Sequence, residues 1–179
     1  MTIAAIDPVR ILALEGIGER DDAPDHDLAV EDTRILVVDD DPTAARIMVR
    51  LLERDGFRRV VSVGDGGDAV AVILDERPEV IVLDVHMPHV DGFQVLRQVQ
   101  NNEDSMVIAV LAVSGDASIR TSRAMMNAGA DDFISRPFDG RQFALRVRRL
   151  ARVTRELRRT VAYLGWLEEH APEPRSTQQ

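Results

Sequence analysis

Apolar positions follow two alternating patterns along residues 34–140. Short apolar runs are separated by longer segments in which apolar residues recur every three or four positions. The short runs predict buried strands, and the longer segments predict amphipathic helices. The predicted strands are 34–38, 59–63, 80–84, 106–113 and 132–135, and the predicted helices are 42–55, 66–76, 93–100, 117–127 and a last helix from about 139.

Strict alternation of strands and helices predicts an α/β domain whose parallel sheet carries helices on both faces. For five strands we expect the order 2-1-3-4-5. Strands one and three are neighbours in that order. Their carboxyl ends therefore meet at the sheet edge where open α/β folds bind ligands.

Carboxylates stand at both of these strand ends. Asp39 and Asp40 follow the first strand, and Asp84 ends the third. Three neighbouring carboxylates repel one another and raise at least one pKa unless a cation neutralises them. An oxygen-only set of ligands suits Mg²⁺, which commonly bridges carboxylates and phosphate oxygens. The pattern therefore predicts a Mg²⁺ site that serves phosphoryl chemistry.

The last two strand ends add a hydroxyl and a cation. The fourth strand leads into Ser114-Gly115, and the fifth leads into Arg136-Pro137, a candidate cis bond. Each pair by itself is equally consistent with an ordinary surface feature and with a functional group. Together with the three carboxylates they favour a phosphoryl-binding site.

Composition narrows the function further. The chain has 179 residues, a net charge of −9, no cysteine and no lysine. These features exclude disulfides and thiolate metal sites and argue against general nucleic-acid affinity. The sequence shows neither a long apolar span nor a signal peptide, so we expect a cytoplasmic protein.

Four stretches, in this order and at this spacing, resemble the receiver domain of two-component response regulators, the CheY-like superfamily. They are ILVVDDDP at 35–42, LDVHMPHVDG at 83–92, VSGD at 113–116 and GADDFISRPFD at 129–139. The resemblance implies a flavodoxin-like three-layer sandwich over residues 34–150.

The resemblance also implies a role for each site residue. Asp84 would accept a phosphoryl group from a sensor histidine kinase or a phosphotransfer protein. Asp39, Asp40, Asp84 and the backbone carbonyl of His86 would bind Mg²⁺. The switch residues would be Ser114, whose hydroxyl turns toward the phosphoryl group, and Phe133, whose ring swings inward.

One position departs from the family pattern. Arg136 stands where the family almost always has Lys, and the two cations are not equivalent because guanidinium is planar and bulkier. Two flanking residues border the expected phosphoryl group, namely His86 and Asp116. We expect both to tune the lifetime of that group; the alternative for His86 is an exposed loop histidine.

The segments outside this domain carry weaker signals. We expect residues 1–33 to be a mostly disordered extension or a short helix, and 171–179 to be a disordered tail. Residues 151–170 continue the last helix. Its seam positions alternate at spacings of four and three, as in a coiled coil, and are apolar with one polar interruption at Thr154: Phe143, Val147, Leu150, Thr154, Leu157, Val161 and Leu164.

Beyond about Val153 this helix is expected to have no sheet left to cover. A homodimer through Leu150, Leu157, Val161 and Leu164 is therefore predicted, and a helix folded back on its own domain is the alternative. Seven arginines decorate the helix between Arg146 and Arg159, and we interpret them as a solvated face, with some paired to the acidic N-terminal run, rather than as a nucleic-acid site.

The sequence supports a phosphorylation-dependent signalling domain and not an enzyme. An aspartate-dependent phosphatase often needs a second Asp two residues after the nucleophile, where this chain has His86. Two alternatives stay open. One is a phosphorylation-independent receiver that acts as a constitutive scaffold, and the other is the front piece of a longer regulator.

Overall fold

The computed structural model describes residues 29–101 and 107–170. Five parallel strands form one sheet in the order β2-β1-β3-β4-β5, which confirms the predicted order. The strands are β1 Arg34–Val38, β2 Arg59–Val63, β3 Val80–Asp84, β4 Ala109–Ser114 and β5 Asp132–Ser135. The helices are α1 Pro42–Arg54, α2 Gly66–Glu76, α3 Gly92–Gln100, α4 Ile119–Asn127 and α5 Gly140–His170.

Successive strand residues face opposite sides of the sheet, so the chain builds two cores. Ile35 and Val37 lie in the core formed with α1 and α5. Leu36 and Val38 lie in the core on the opposite face, formed with α2, α3 and α4. The central strand β3 is buried along its whole length, which explains its continuous apolar run.

Most predicted boundaries coincide with the observed ones, and all but one of the others differ by one or two residues. The start of β4 is the largest difference, because Val107 and Ile108 continue the apolar pattern but precede the strand. Helix α4 begins two residues later than predicted, since the Ser118 side chain accepts the Thr121 N–H as its N-cap.

Beyond Val153, α5 extends past the sheet but still contacts the domain. A helix of 31 residues is about 46 Å long, whereas strands of five residues are about 17 Å long, so the helix passes the sheet's amino edge. The loops that lead into the strands reach this part of the helix. Ala151 and Thr154 are buried there, and Leu157 is half-buried.

Two arginines fasten α5 to these loops. Arg158 donates from Nε to the Val107 carbonyl at 2.7 Å and from Nη2 to the Pro78 carbonyl at 2.6 Å. Arg155 donates to the Ala29 carbonyl at 3.0 Å. These carbonyls precede β4, β3 and β1, so contacts with the domain continue past the predicted boundary at residue 150.

Other helix arginines form ion pairs within the domain. Arg148 lies 2.7 Å from Glu31 and 2.8 Å from Asp55, and Arg146 lies 2.6 Å from Asp132. The Glu31 contact is of the kind expected between this helix and the acidic N-terminal run. The predicted extension at 1–28 and the tail at 171–179 lie outside the described residues. In the described ranges no helix is long and apolar enough to cross a membrane.

Candidate functional site

The parallel register places the ends of four strands side by side. Val38 pairs with Leu83, so Asp39 and Asp84 follow on neighbouring strands. In the same way Asp84 pairs with Val113, which brings Ser114 to the next position. Ser114 pairs with Ser135, and Arg136 follows directly. Strand pairing alone therefore gathers the predicted site residues at the carboxyl edge.

They line an open cleft of about 510 Å³. Its walls are formed by Asp39, Asp40, Asp41, Asp84, His86, Gly115, Asp116 and Arg136.

Two of the three predicted metal-binding carboxylates are buried. Asp39 and Asp84 are 1% and 4% exposed, whereas Asp40 is exposed. One oxygen from each of the three lies within 4.8 Å of the others. Burial raises the pKa of the Asp84 carboxyl from 3.8 to about 6; Arg136 opposes this rise, and Asp39 and Asp40 add to it. Burial also raises the pKa of Asp39, again opposed by Arg136.

Arg136 supplies positive charge to both buried carboxylates. Its guanidinium is hydrogen-bonded to Asp39, and its Nη1 lies 3.5 Å from Asp84 Oδ1. Its backbone N–H donates to the Ser114 carbonyl at 2.7 Å, and its peptide bond to Pro137 is cis. A planar fork can contact two carboxylates at once, which a single ammonium group does less readily.

Ser114 is fully buried and has two hydrogen-bond partners. Its Oγ accepts the Asp116 N–H at 3.0 Å and lies 3.2 Å from His86 Nδ1. The Asp116 carboxylate is occupied at the start of α4, where it accepts hydrogen bonds from Ser118 and Thr121. These bonds, that of Thr121 foremost, lower the pKa of Asp116.

The sequence did not indicate the contact between His86 and Ser114. The predicted metal role of His86 concerns its backbone carbonyl, and the sequence predicts its imidazole only as a neighbour of the phosphoryl group. The available sequence signal for this contact was that strands three and four are neighbours in the predicted sheet.

Gly92 allows α3 to pack closely against the end of β3. A Cβ at this position would lie 2.4 Å from the Asp84 carbonyl oxygen and 2.9 Å from the Val85 Cα, so only glycine fits. Asp91 begins the helix with a reciprocal capping box to Gln94. On the other side of the site, Phe133 is half-buried against the core that contains Leu83 and Leu96.

The donor set fits a small divalent cation. Asp39, Asp40 and Asp84 provide only oxygen ligands, and one oxygen from each lies close enough to the others to bind a single ion. Two of the three carboxylates are buried, and their negative charge is only partly compensated. Mg²⁺ prefers such ligands and retains waters in its remaining positions.

The family model and the curated relatives that match this chain identify the same protein family. The sequence model of the response regulator receiver domain matches residues 35–148. The response regulator MprA of Mycolicibacterium vanbaalenii is 40% identical over 121 residues, covering 68% of this chain and 51% of the relative. MprA of Mycobacterium ulcerans is 39% identical over 122 residues, with shares of 68% and 51%. The chain spans about half the length of these curated relatives.

Solved receiver domains share the fold. The receiver domain of the Francisella response regulator 1452 superposes with a TM-score of 0.63 at 27% identity, covering 69% of this chain and 99% of that one. The receiver domain from Bermanella marisrubri gives a TM-score of 0.61 at 33% identity, with shares of 66% and 98%. Given the family match over residues 35–148, the chain belongs to the response regulator receiver domain family.

Proposed function

We propose that this chain receives a phosphoryl group on Asp84 from a phosphohistidine of a sensor histidine kinase or phosphotransfer protein. The observation that carries the proposal is the buried Asp84 carboxylate, surrounded by Asp39, Asp40, Ser114 and Arg136 at one sheet edge. Family membership supports the same role.

The transfer needs a nucleophile and positive charge around the phosphoryl oxygens. An oxygen of Asp84 attacks phosphorus, the P–N bond of the donor breaks, and its electron pair returns to the imidazole. Asp39, Asp40, Asp84 and the His86 carbonyl are the groups that would hold Mg²⁺, which when bound neutralises charge on the phosphoryl oxygens. The Arg136 guanidinium can pair with one of these oxygens, and the Ser114 hydroxyl can donate to another.

Intact mass spectrometry tests this proposal. The protein is incubated with acetyl phosphate, with and without Mg²⁺, beside the Asp84→Asn variant. The wild type should gain one phosphoryl group only with Mg²⁺, and the variant should gain none. A gain in the variant would place phosphorylation elsewhere.

A phosphorylation-independent scaffold is the second candidate, and the contacts of Arg136 favour it. The guanidinium already engages Asp39 and Asp84 and so supplies some of the charge that a metal would bring. If the wild type shows no mass gain but Arg136→Lys does, the scaffold reading is supported.

We also propose a homodimer through the distal part of α5. Val161 remains 47% exposed there, and Leu157 and Leu164 are half-buried. Light scattering should show a dimer that Val161→Glu dissociates. Val153→Glu, at a 53% exposed position of the same helix outside the seam, is the matched control and should leave the dimer intact. Equal effects of the two variants would contradict this interface.

The proposed partners are therefore a phosphodonor protein and a second copy of the chain. Nucleic-acid binding by the helix arginines is not proposed, because Arg146, Arg148, Arg155 and Arg158 all have partners within the domain. A further output region beyond this chain is compatible with the greater length of the curated relatives.

A further inference from the structure

The imidazole of His86 lies against the buried Ser114 hydroxyl. His86 follows Asp84 by two residues, and the pairing of β3 with β4 brings its loop to the end of β4. Its Nδ1 is 3.2 Å from Ser114 Oγ. The His86 side chain is otherwise exposed, whereas Ser114 is 0% exposed.

The hydrogen bonds of Ser114 determine where its proton goes. A serine hydroxyl has one proton to donate and two lone pairs. The Asp116 N–H donates to one lone pair at 3.0 Å. Because the hydroxyl is shielded from solvent, its proton needs an acceptor inside the domain. Among the described residues, His86 Nδ1 is the acceptor within hydrogen-bond distance of this oxygen. The arrangement corresponds to a neutral ring that carries its own proton on Nε2.

The phosphorylated site would require the same proton. A phosphoryl oxygen on Asp84 accepts hydrogen bonds and offers none, so Ser114 can bind it only by donating. Since the hydroxyl has a single proton, donation to His86 and donation to the phosphoryl group exclude one another.

We propose that the His86 imidazole is a positioning residue that retains the Ser114 hydroxyl in the unphosphorylated arrangement and thereby opposes the phosphorylated one. This inference rests on the proposed phosphoryl acceptance at Asp84. Loss of one hydrogen bond between neutral groups corresponds to about a threefold to tenfold change in equilibrium. Removing the imidazole acceptor therefore stabilises the phosphorylated arrangement by that factor.

Beryllofluoride, which attaches to a carboxylate as a phosphoryl mimic, is the probe for the experiment. Its Kd is measured at saturating Mg²⁺ for the wild type, His86→Phe and His86→Asn. The phenyl ring fills similar space without an acceptor, so beryllofluoride should bind about threefold to tenfold more tightly. The asparagine carbonyl can replace Nδ1 as acceptor, so His86→Asn should remain within about twofold of the wild type.

Measuring the effect of His86→Phe again in a Ser114→Ala background distinguishes this role from one in which His86 shields the site from solvent. If His86 acts through the hydroxyl, His86→Phe has no further effect when the hydroxyl is absent. The proposal would be overturned if His86→Phe tightened beryllofluoride binding equally in both backgrounds. It would also be overturned if His86→Phe did not tighten binding in the protein that retains Ser114. If instead the wild type does not bind beryllofluoride and Asp84→Asn behaves in the same way, phosphoryl acceptance at Asp84 is overturned. The inference about His86 then falls with it.

A spectroscopic measurement tests the contact without any phosphoryl mimic. Nitrogen NMR of the metal-free protein, at a pH where the ring is neutral, should show His86 with Nδ1 unprotonated, and Ser114→Ala should shift that resonance. A ring protonated on Nδ1 in the wild type would contradict the proposed direction of the hydrogen bond.

Discussion

Replacing Asp84 by asparagine should stabilise the metal-free domain at neutral pH. The wild-type carboxylate is 4% exposed, and burial together with Asp39 and Asp40 raises its pKa despite the opposing charge of Arg136. Asparagine has nearly the same shape as the protonated acid but never ionises. The variant therefore removes the unfavourable charge while keeping the side chain's volume.

The size of the effect follows from the pKa. A rise from 3.8 to about 6 corresponds to about 3 kcal/mol, at about 1.4 kcal/mol per pH unit. Because the folded state holds this proton more tightly than the unfolded state, the wild type loses stability as pH rises from about 4 to about 6. The loss is complete above about pH 6 and absent below about pH 4.

Urea unfolding with a metal chelator, repeated across this pH range, measures the difference. The free energies of unfolding of the two proteins should agree near pH 4 and diverge by up to about 3 kcal/mol above pH 6, with Asp84→Asn more stable. Titrating groups far from Asp84 contribute equally to both proteins and cancel, whereas the neighbours Asp39 and Asp40 feel the loss of its charge. A wild type as stable as the variant at neutral pH would refute the argument, and added Mg²⁺ should narrow the gap.

Three further substitutions test other parts of the structure. Arg158→Met removes two hydrogen bonds from a half-buried cation and should lower Tm by about 5–10 °C, whereas the exposed Arg152→Met should change it little; equal shifts would contradict the anchoring of α5 by Arg158. Arg136→Lys should lower the stability of the metal-free domain by about 1 kcal/mol, because a lysine ammonium group holds two carboxylates less well than a guanidinium does. The same change should strengthen Mg²⁺ binding several-fold by calorimetry, and an unchanged Kd would argue against competition between Arg136 and Mg²⁺. Gly92→Ala should destabilise the fold by about 2 kcal/mol through overlap with the backbone at the end of β3, while Gly165→Ala, which meets nothing within 4 Å, should be neutral or stabilising.

The fold and the position of the cleft were accessible from sequence because both depend on periodicity. Once β3 is identified as a buried strand beside β1, the register brings Asp39 next to Asp84 without further information. The residue types at the four strand ends therefore predicted which groups would meet.

The contacts that sequence analysis missed involve partners without a sequence signal. Arg158 binds backbone carbonyls, which every residue has, so its pattern could not be distinguished from that of a solvated arginine. The spacing of Thr154 and Leu157 is the same whether they pack on a second helix or on their own domain. The link between His86 and Ser114 depends on rotamers that strand pairing does not determine.

Locating the phosphorylated residue tests the central claim most directly. After incubation with a phosphodonor and Mg²⁺, borohydride reduces an aspartyl phosphate to homoserine, and peptide mass spectrometry identifies its position. Homoserine is expected in place of Asp84 and at no other acidic residue, with none formed when the donor is omitted. Homoserine at Asp39 or Asp40 instead, or at no position despite a mass gain of the intact protein, would contradict Asp84 as the acceptor.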